Sequence, residues 1–139
     1  MKECPMTDPI PSPDTILTLA YKLADAAAVE TLQWFRAAEL LAENKLEAGF
    51  DPVTQADKAA EQAMRAVLAQ YRPQDAIVGE EAQDQTGTSG LAWVLDPIDG
   101  TRGYVSGTPT WGTLIALNDG EAPIFGIIDQ PYTGVRFVG

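Results

Sequence analysis

The first half of the chain carries apolar residues at helical spacing. From Asp14 to about Glu47, apolar residues recur at intervals of three or four, or at multiples of these, which predicts a helix. These residues are Leu19, Leu23, Ala27, Trp34, Ala38 and Leu41. Ser12 or Asp14 suits the N-cap and Pro13 the first turn, and the span is long enough to contain a bend or break. Residues 1–13, with four prolines, are expected to form a flexible arm.

A second helical stretch follows at Asp51-Pro-Val-Thr-Gln-Ala-Asp57. Thr54 and Asp57 have the spacing of a capping box, which predicts the start of the helix. The helix is predicted to continue to about Tyr71, before Arg72-Pro73 stops it. Its predicted buried face comprises Ala60, Met64, Val67 and Tyr71.

After the helices, the pattern changes to short apolar runs that predict strands. The runs span residues 76–79, 91–95, 111–117, 122–128 and 135–138. Asn118-Asp119-Gly120 is a hairpin signal between two of them, and Trp93 and Trp111 are expected to lie in the core. Two helices followed by strands predict an α+β fold, with the helices packed on a largely antiparallel sheet. The last strand is expected to need a neighbour on its open edge, so we expect the sequence to be incomplete.

Composition narrows the classes of function. The chain has 139 residues and a formal net charge of −11, which argues against a surface for nucleic acid or anionic membrane. Its single cysteine, Cys4, fits a reducing compartment, and with no signal peptide recognised we expect a cytoplasmic protein. The sequence has no histidine, so histidine-dependent nucleophilic catalysis within the chain is excluded and a zinc site is not expected.

Carboxylates follow two of the predicted strands. Asp96-Pro-Ile-Asp-Gly-Thr101 comes directly after an apolar run, and Glu80-Glu81 follows another. Gly100 allows a sharp turn, and Thr101 can begin a short helix whose free N–H groups form an anion site. Turn chemistry alone would also explain this segment. If the strands are neighbours, their carboxylates meet at one crevice, where hard divalent cations such as Mg²⁺, Mn²⁺ or Ca²⁺ would neutralise them.

Three motifs, taken together, resemble the inositol monophosphatase family of Mg²⁺-dependent phosphatases. They are Val78-Gly-Glu-Glu81, Trp93-Val-Leu-Asp-Pro-Ile-Asp-Gly-Thr101 and Asp51-Pro-Val-Thr-Gln-Ala-Asp57. The resemblance extends from about Lys45 to the last residue. It implies a layered α/β sandwich, of which residues 14–139 would be the N-terminal α+β part and the C-terminal half would be absent. It also implies a small phosphorylated substrate and a homodimer.

The resemblance further implies a metal site built from four residues. Glu80 and Asp96 would hold the first Mg²⁺, or Mn²⁺, with the backbone carbonyl of Ile98. Asp96 would bridge to a second metal ion that Asp99 also binds. The remaining metal-ligand aspartate and much of the substrate pocket would belong to the absent half.

Catalytic and phosphate-binding roles are also implied by the resemblance. Glu80 and Thr101 would orient and deprotonate a metal-bound water, with Asp57 supporting Thr101. The amides of Gly100 and Thr101, together with Asp99, would contact the phosphate. The resemblance leaves Glu81 as a neighbour without a defined role and gives Lys45 only a weak match.

The residues after Thr101 are similar to the histidinol-phosphatase branch of this family, which hydrolyses L-histidinol phosphate. Arg102 with the aromatic Tyr104, then Val105-Ser-Gly107 and Gly112-Thr-Leu-Ile115, carry this similarity. Inositol monophosphatase, fructose-1,6-bisphosphatase and nucleotide 3′-phosphatase activities remain alternatives. A non-catalytic metal-binding or interaction module is the alternative of a different class.

Overall fold

The computed structural model describes residues 9–37 and 52–139, in which there are three helices and five strands, with the two long helices preceding the strands as the sequence pattern predicts. The helices are α1 (Pro13–Trp34), α2 (Pro52–Tyr71) and α3 (Thr101–Ser106). The strands are β1 (Ala76–Gly79), β2 (Ala92–Asp99), β3 (Gly112–Asn118), β4 (Pro123–Gln130) and β5 (Val135–Val138). None of the helices in these ranges combines the length and apolarity that a bilayer crossing requires.

The five strands form one sheet in the order β1-β2-β3-β4-β5. β1 and β2 are parallel, and the other neighbouring pairs are antiparallel. The turn between β3 and β4 is closed by Asp119, whose Oδ1 accepts hydrogen bonds from the amides of Glu121 and Ala122, both at 2.9 Å. The predicted α+β class with a largely antiparallel sheet is confirmed.

The main core lies between the two long helices and one face of the sheet. Its fully or almost fully buried members include Leu23, Ala24, Met64, Leu68, Trp93, Leu95, Ile115 and Leu117. Alanines at the helix contact, such as Ala20, Ala24 and Ala60, are 0% exposed and let α1 and α2 approach closely. Burial of Trp93 and Trp111 confirms their predicted place in the interior.

The opposite face of the sheet is also apolar but open. Val94, Ile128 and Phe137 are 40%, 48% and 57% exposed and line a shallow depression with Leu114. Because side chains alternate between the two faces of a strand, Asp96 is on the same face as Val94, and both line this depression. Within the described residues, the helices therefore cover only one side of the sheet.

The first helix begins where the sequence predicts and ends earlier. Ser12 is its N-cap, with Oγ accepting a hydrogen bond from the Thr15 amide at 3.2 Å. The helix breaks after Trp34, because Phe35 is extended and Arg36 has φ 58°. Phe35 leaves the helix to pack against an aromatic cluster, a tertiary contact that the helical periodicity does not contain. The predictions for Cys4, Ala38, Leu41 and Lys45 lie outside the described residues.

Two predictions for the second helix are wrong. The helix begins at Pro52, so Thr54 lies inside it rather than at its cap. Tyr71 is 49% exposed, whereas Leu68 is 0% exposed. The buried face follows steps of four residues through Ala60, Met64 and Leu68, which leaves Tyr71 on the flank, where its ring contacts Lys22.

Candidate metal centre

Parallel pairing of β1 and β2 places two acidic segments at the same edge of the sheet. Gly79, the last residue of β1, is opposite Leu95 of β2. The next residues are Glu80 on one strand and Asp96 on the other. Glu80 is exposed, and Asp96 is partly buried. These two predicted site residues are therefore neighbours across the sheet.

A register shift in β2 sets the position of Asp99. The strand continues past Asp96 to Asp99, so the predicted strand end at Asp96-Pro97 is wrong. The register with β3 shifts between Asp96 and Asp99, and an irregularity of this kind tolerates Pro97, which has no N–H to donate. The buried Thr113 hydroxyl donates to the Pro97 carbonyl at 2.8 Å. The two aspartates thus flank a kink that a hydrogen bond holds in place.

Like charges converge on Asp96. Its pKa is raised to about 6, first by burial and then by the carboxylates of Glu80 and Asp99. A hydrogen bond from the Ile98 backbone opposes the shift, and Glu81 adds to it. Among the described residues, Asp96 Oδ1 is a buried oxygen with no hydrogen-bond partner. Asp96 is therefore a carboxylate whose charge the surrounding protein does not satisfy.

Glu81 lies at the same edge of the sheet, but its charged neighbours include residues of α2. Burial raises its pKa, as do the carboxylates of Glu61 and Glu80, while Lys58 opposes the shift. Glu61 is 1% exposed and lies outside the sequence motifs. Arg65, one turn later, forms an i,i+4 ion pair with it at 2.8 Å, and that spacing indicates a pair on the helix without indicating a role at the site.

Gly100 and Thr101 form the start of α3, as the sequence predicts. Gly100 is the N-cap with φ 85° and ψ 48°, a left-handed conformation that favours glycine. Its carbonyl accepts the first helical hydrogen bond, from the Tyr104 amide, at 3.1 Å. Thr101 is exposed and follows the cap directly, so it lies two residues beyond Asp99 at the end of β2.

Asp57 lies on the other side of α3, in the second turn of α2. It is 8% exposed and next to a small apolar cluster formed by Phe35, Val53, Ala56, Ile98, Tyr104 and Trp111. The pKa of Tyr104 is raised by burial and then by the charge of Asp57. The Tyr104 hydroxyl donates to the Thr31 carbonyl at 2.8 Å. The aromatic residues that anchor α3 beside Asp57 had no functional signal in the sequence.

We expect Gly100→Ala to destabilise the chain by about 3 kcal/mol, because a Cβ would meet the Thr110 carbonyl oxygen at 2.6 Å in addition to the left-handed strain. Gly134→Ala is the matched control: its φ is +76° and no atom lies within 4 Å of a Cβ. This control should lose only about 1 kcal/mol. Urea unfolding of both variants measures the difference. Equal losses would contradict the close approach at Gly100.

The carboxylates fit a hard divalent cation in chemical type. All their donors are oxygen atoms, and a cation would satisfy the buried Oδ1 of Asp96. However, residues 9–37 and 52–139 contain no group of three His, Cys, Asp or Glu side chains close enough to hold a metal ion together. Glu80 and Asp99 are exposed, so their side chains are not fixed by packing. The structure therefore places oxygen donors along one edge of the sheet, but among the described residues they do not form a complete coordination sphere.

Comparison with known proteins identifies the family. A model of the inositol monophosphatase family matches residues 12–139. The chain belongs to the inositol monophosphatase family. A solved inositol monophosphatase from Zymomonas mobilis superposes with a TM-score of 0.73 at 43% identity, covering 94% of this chain and 49% of that one. The confirmed family membership agrees with the resemblance carried by the three sequence motifs.

The curated relatives include proteins named histidinol-phosphatase. The protein from Streptomyces coelicolor is 45% identical over 125 residues, which cover 87% of this chain and 46% of the relative. The protein from Mycobacterium tuberculosis is 41% identical over 115 residues, which cover 83% of this chain and 44% of the relative. The chain thus spans about half the length of the curated relatives it matches.

Proposed function

We propose that this chain carries the metal- and phosphate-binding part of a Mg²⁺-dependent phosphate monoester hydrolase whose substrate is L-histidinol phosphate. The observation that supports the proposal is the parallel pairing of β1 with β2, by which Glu80 follows one strand beside Asp96 of the other, with Asp99 and the start of α3 next along the chain, in a member of this family. The two histidinol-phosphatases described above support the choice of substrate.

Four groups are proposed to hold the cations: the carboxylates of Glu80, Asp96 and Asp99 and the backbone carbonyl of Ile98. Oxygen donors of this kind are those that Mg²⁺ prefers, and Mn²⁺ is an alternative. When bound, the cations supply charge neutralisation of the phosphate ester and a lowered pKa of water, so that a nucleophile is available near neutral pH. Asp96 is the proposed shared ligand because the neighbouring negative charges converge on it.

Other residues are proposed to bind the ester and move the proton. The amides of Gly100 and Thr101, beside Asp99, bind the phosphate. The Thr101 hydroxyl, positioned by Asp57, would orient the attacking water, and the Glu80 carboxylate would take its proton. The water oxygen would replace the alcohol on phosphorus, and the leaving alkoxide would take a proton from solvent water. These 139 residues contain no histidine, so carboxylates and hydroxyls are the groups proposed for this proton transfer within them.

A second candidate is inositol monophosphatase activity, favoured by the likeness to the Zymomonas mobilis structure. A third is a metal-binding or interaction module without catalysis. This third candidate is favoured by the absence of a tight carboxylate group among the described residues. A homodimer, a cytoplasmic location and a requirement for a further C-terminal half remain predictions, as does the lack of nucleic-acid binding that the net charge of −11 supports.

Phosphate release distinguishes these candidates. The assay compares L-histidinol phosphate, inositol 1-phosphate and fructose 1,6-bisphosphate, each with Mg²⁺ and with a chelator. It uses the 139-residue chain and two chimaeras, one with the C-terminal part of the Streptomyces coelicolor relative and one with that of the Zymomonas mobilis inositol monophosphatase. We expect Mg²⁺-dependent turnover by both chimaeras, with L-histidinol phosphate preferred at least about tenfold in kcat/KM whichever part is added, a difference of about 1.4 kcal/mol. The 139-residue chain alone should show little turnover.

Each other outcome selects a different candidate. Preference for inositol 1-phosphate would keep the proposed metal site and replace the substrate. Robust turnover by the 139 residues alone would show that the predicted further half is not needed. Inactivity of all three proteins on every ester would favour the non-catalytic module, provided that circular dichroism shows both chimaeras to be folded.

A further inference from the structure

We propose that Glu61 is a positioning residue for the acidic segment that follows β1, and that it fixes the backbone from which Glu80 reaches the candidate metal centre. This inference rests on the proposed function and adds to it a residue that none of the sequence motifs contains. Glu61 lies on α2, one turn after Asp57, and its side chain is 1% exposed.

The Glu61 carboxylate binds two consecutive backbone amides. Its Oε2 accepts from the Glu81 amide at 2.8 Å, and its Oε1 accepts from the Ala82 amide at 3.2 Å. These amides belong to the two residues directly after Glu80, beyond the end of β1. Charge-assisted hydrogen bonds from backbone N–H groups to a carboxylate are strong and directional, so the path of this segment depends on one side chain.

Arg65 completes the attachment from the same helix. Its Nε and Nη2 donate to Glu61 Oε1 at 3.0 and 2.8 Å, which compensates the buried negative charge. Nη2 also donates to the Ala82 carbonyl at 3.3 Å. The pair therefore binds both an amide and a carbonyl of the segment, and these side chain to backbone contacts link α2 to the residues that follow β1.

Gly79 makes the close approach of this carboxylate feasible. A Cβ at Gly79 would overlap the Glu61 carboxylate and lie 2.9 Å from Arg65 Nη2. Glu61 thus packs against Gly79, the residue before Glu80, and accepts a hydrogen bond from the amide of Glu81, the residue after it. Glu80 itself is exposed, so the position of its Cα depends on its neighbours Gly79 and Glu81, which Glu61 holds in place.

A second buried carboxylate at the other end of β1 offers a matched control. Asp75 is 0% exposed and pairs with Arg72 at 2.8 Å, as Glu61 pairs with Arg65. Asp75 lies immediately before β1, whereas the amides bound by Glu61 follow it. Glu61→Gln and Asp75→Asn remove the same charge from comparable surroundings, but only the first touches the acidic edge.

The experiment compares the wild type, Glu61→Gln and Asp75→Asn in two measurements. The first is amide hydrogen exchange of Glu81 and Ala82 in the metal-free chain, corrected for global stability. The second is the affinity for Mn²⁺, measured by electron paramagnetic resonance. In Glu61→Gln we expect exchange of both amides to quicken at least about tenfold and Mn²⁺ affinity to fall about tenfold, the range seen when a ligand's supporting partner is removed. Asp75→Asn should change neither value after the correction.

Gly79→Ala is the second variant, in case Glu61→Gln does not fold. Its added Cβ would displace the Glu61 carboxylate without changing the identity of residue 61. It should therefore give the same faster amide exchange and the same lower Mn²⁺ affinity. Unchanged exchange at Glu81 and Ala82 in a folded variant, or an equal loss of Mn²⁺ affinity in Asp75→Asn, overturns the proposal. If the wild type binds no Mn²⁺, the proposed function fails, and the exchange measurement still decides whether Glu61 fixes the segment.

Discussion

Asp96→Asn is expected to reduce phosphatase activity of the complete enzyme by roughly a thousandfold or more, about 4 kcal/mol of transition-state stabilisation. Asp96 is the proposed shared ligand of two cations, and an amide cannot replace the charge of a carboxylate there. Phosphate release at saturating Mg²⁺ measures the effect. Near-normal turnover would contradict the proposed metal site.

The same substitution should stabilise the metal-free chain. The pKa of Asp96 is raised from 3.8 to about 6 in the folded state, so the charged form is disfavoured by folding. The preference of the folded state for protonated Asp96 therefore contributes stability at low pH, and this contribution is lost as the pH rises from about 4 to about 6. Because the carboxylate is partly exposed, solvent screening reduces the effect to about 1 kcal/mol.

Urea unfolding without metal at pH 4 and pH 7 tests this gain. Asp96→Asn should be more stable than the wild type at pH 7 and nearly equal to it at pH 4. Asp84→Asn, in the exposed loop after β1, is the control and should show no such difference. A loss of stability in Asp96→Asn at pH 7 would show that burial and the neighbouring carboxylates do not destabilise the charged form of Asp96. A gain of stability together with a loss of activity is the signature expected of a site built for a cation.

Asp75→Ala should cost about 3–5 kcal/mol, a large part of the stability of an ordinary domain. Asp75 Oδ1 accepts from Ser89 Oγ at 2.7 Å and from Arg72 at 2.8 Å. Its Oδ2 accepts from Arg72 Nε at 2.8 Å and from the indole N–H of Trp93 at 2.9 Å. Alanine would leave a buried indole N–H without its acceptor and remove the counter-charge of Arg72.

The control for Asp75→Ala is an ion pair that solvent reaches. Asp25 accepts from Arg136 at 2.8 Å, but its side chain is 70% exposed. Asp25→Ala should therefore cost less than about 1 kcal/mol. The midpoint of urea unfolding measures both variants. Similar losses would show that the network around Asp75 contributes no more than an exposed pair.

The parts of the fold predicted correctly are those in which local pattern and tertiary packing agree. Asn118-Asp-Gly120 forms the expected turn, because Asp119 bonds the backbone within three residues of itself. Thr101 begins the expected short helix, because the glycine before it takes the left-handed conformation. A break in the long helical span was allowed for, but its position after Trp34 could not be predicted, since Phe35 packs against rings distant in sequence, with centroids 5.3 Å from Tyr104 and 5.2 Å from Trp111. Helical periodicity contains no information about those partners.

The candidate site divides in the same way. Its acidic residues could be proposed from the sequence because turn glycines and carboxylates stand next to each other in the chain. Glu61 could not, because its role comes from amides 20 and 21 residues away, which only the packing of α2 against the sheet brings near. Strand extension through Pro97 was missed because Thr113, on another strand, holds the kink. Residues that support a site through backbone contacts leave little trace in sequence.

The pairing of strands in chain order has a consequence for how the site assembles during folding. Each strand pairs with its neighbour in the chain, β1 with β2 included, so these contacts can form early and bring Glu80, Asp96, Asp99 and Thr101 together. Asp57 and Glu61 join them only when α2 docks. We therefore expect the two sides of the site to come together late and to separate first under mild denaturant. Loss of cation binding would then precede the loss of the sheet, so that binding reports on helix docking rather than on global unfolding.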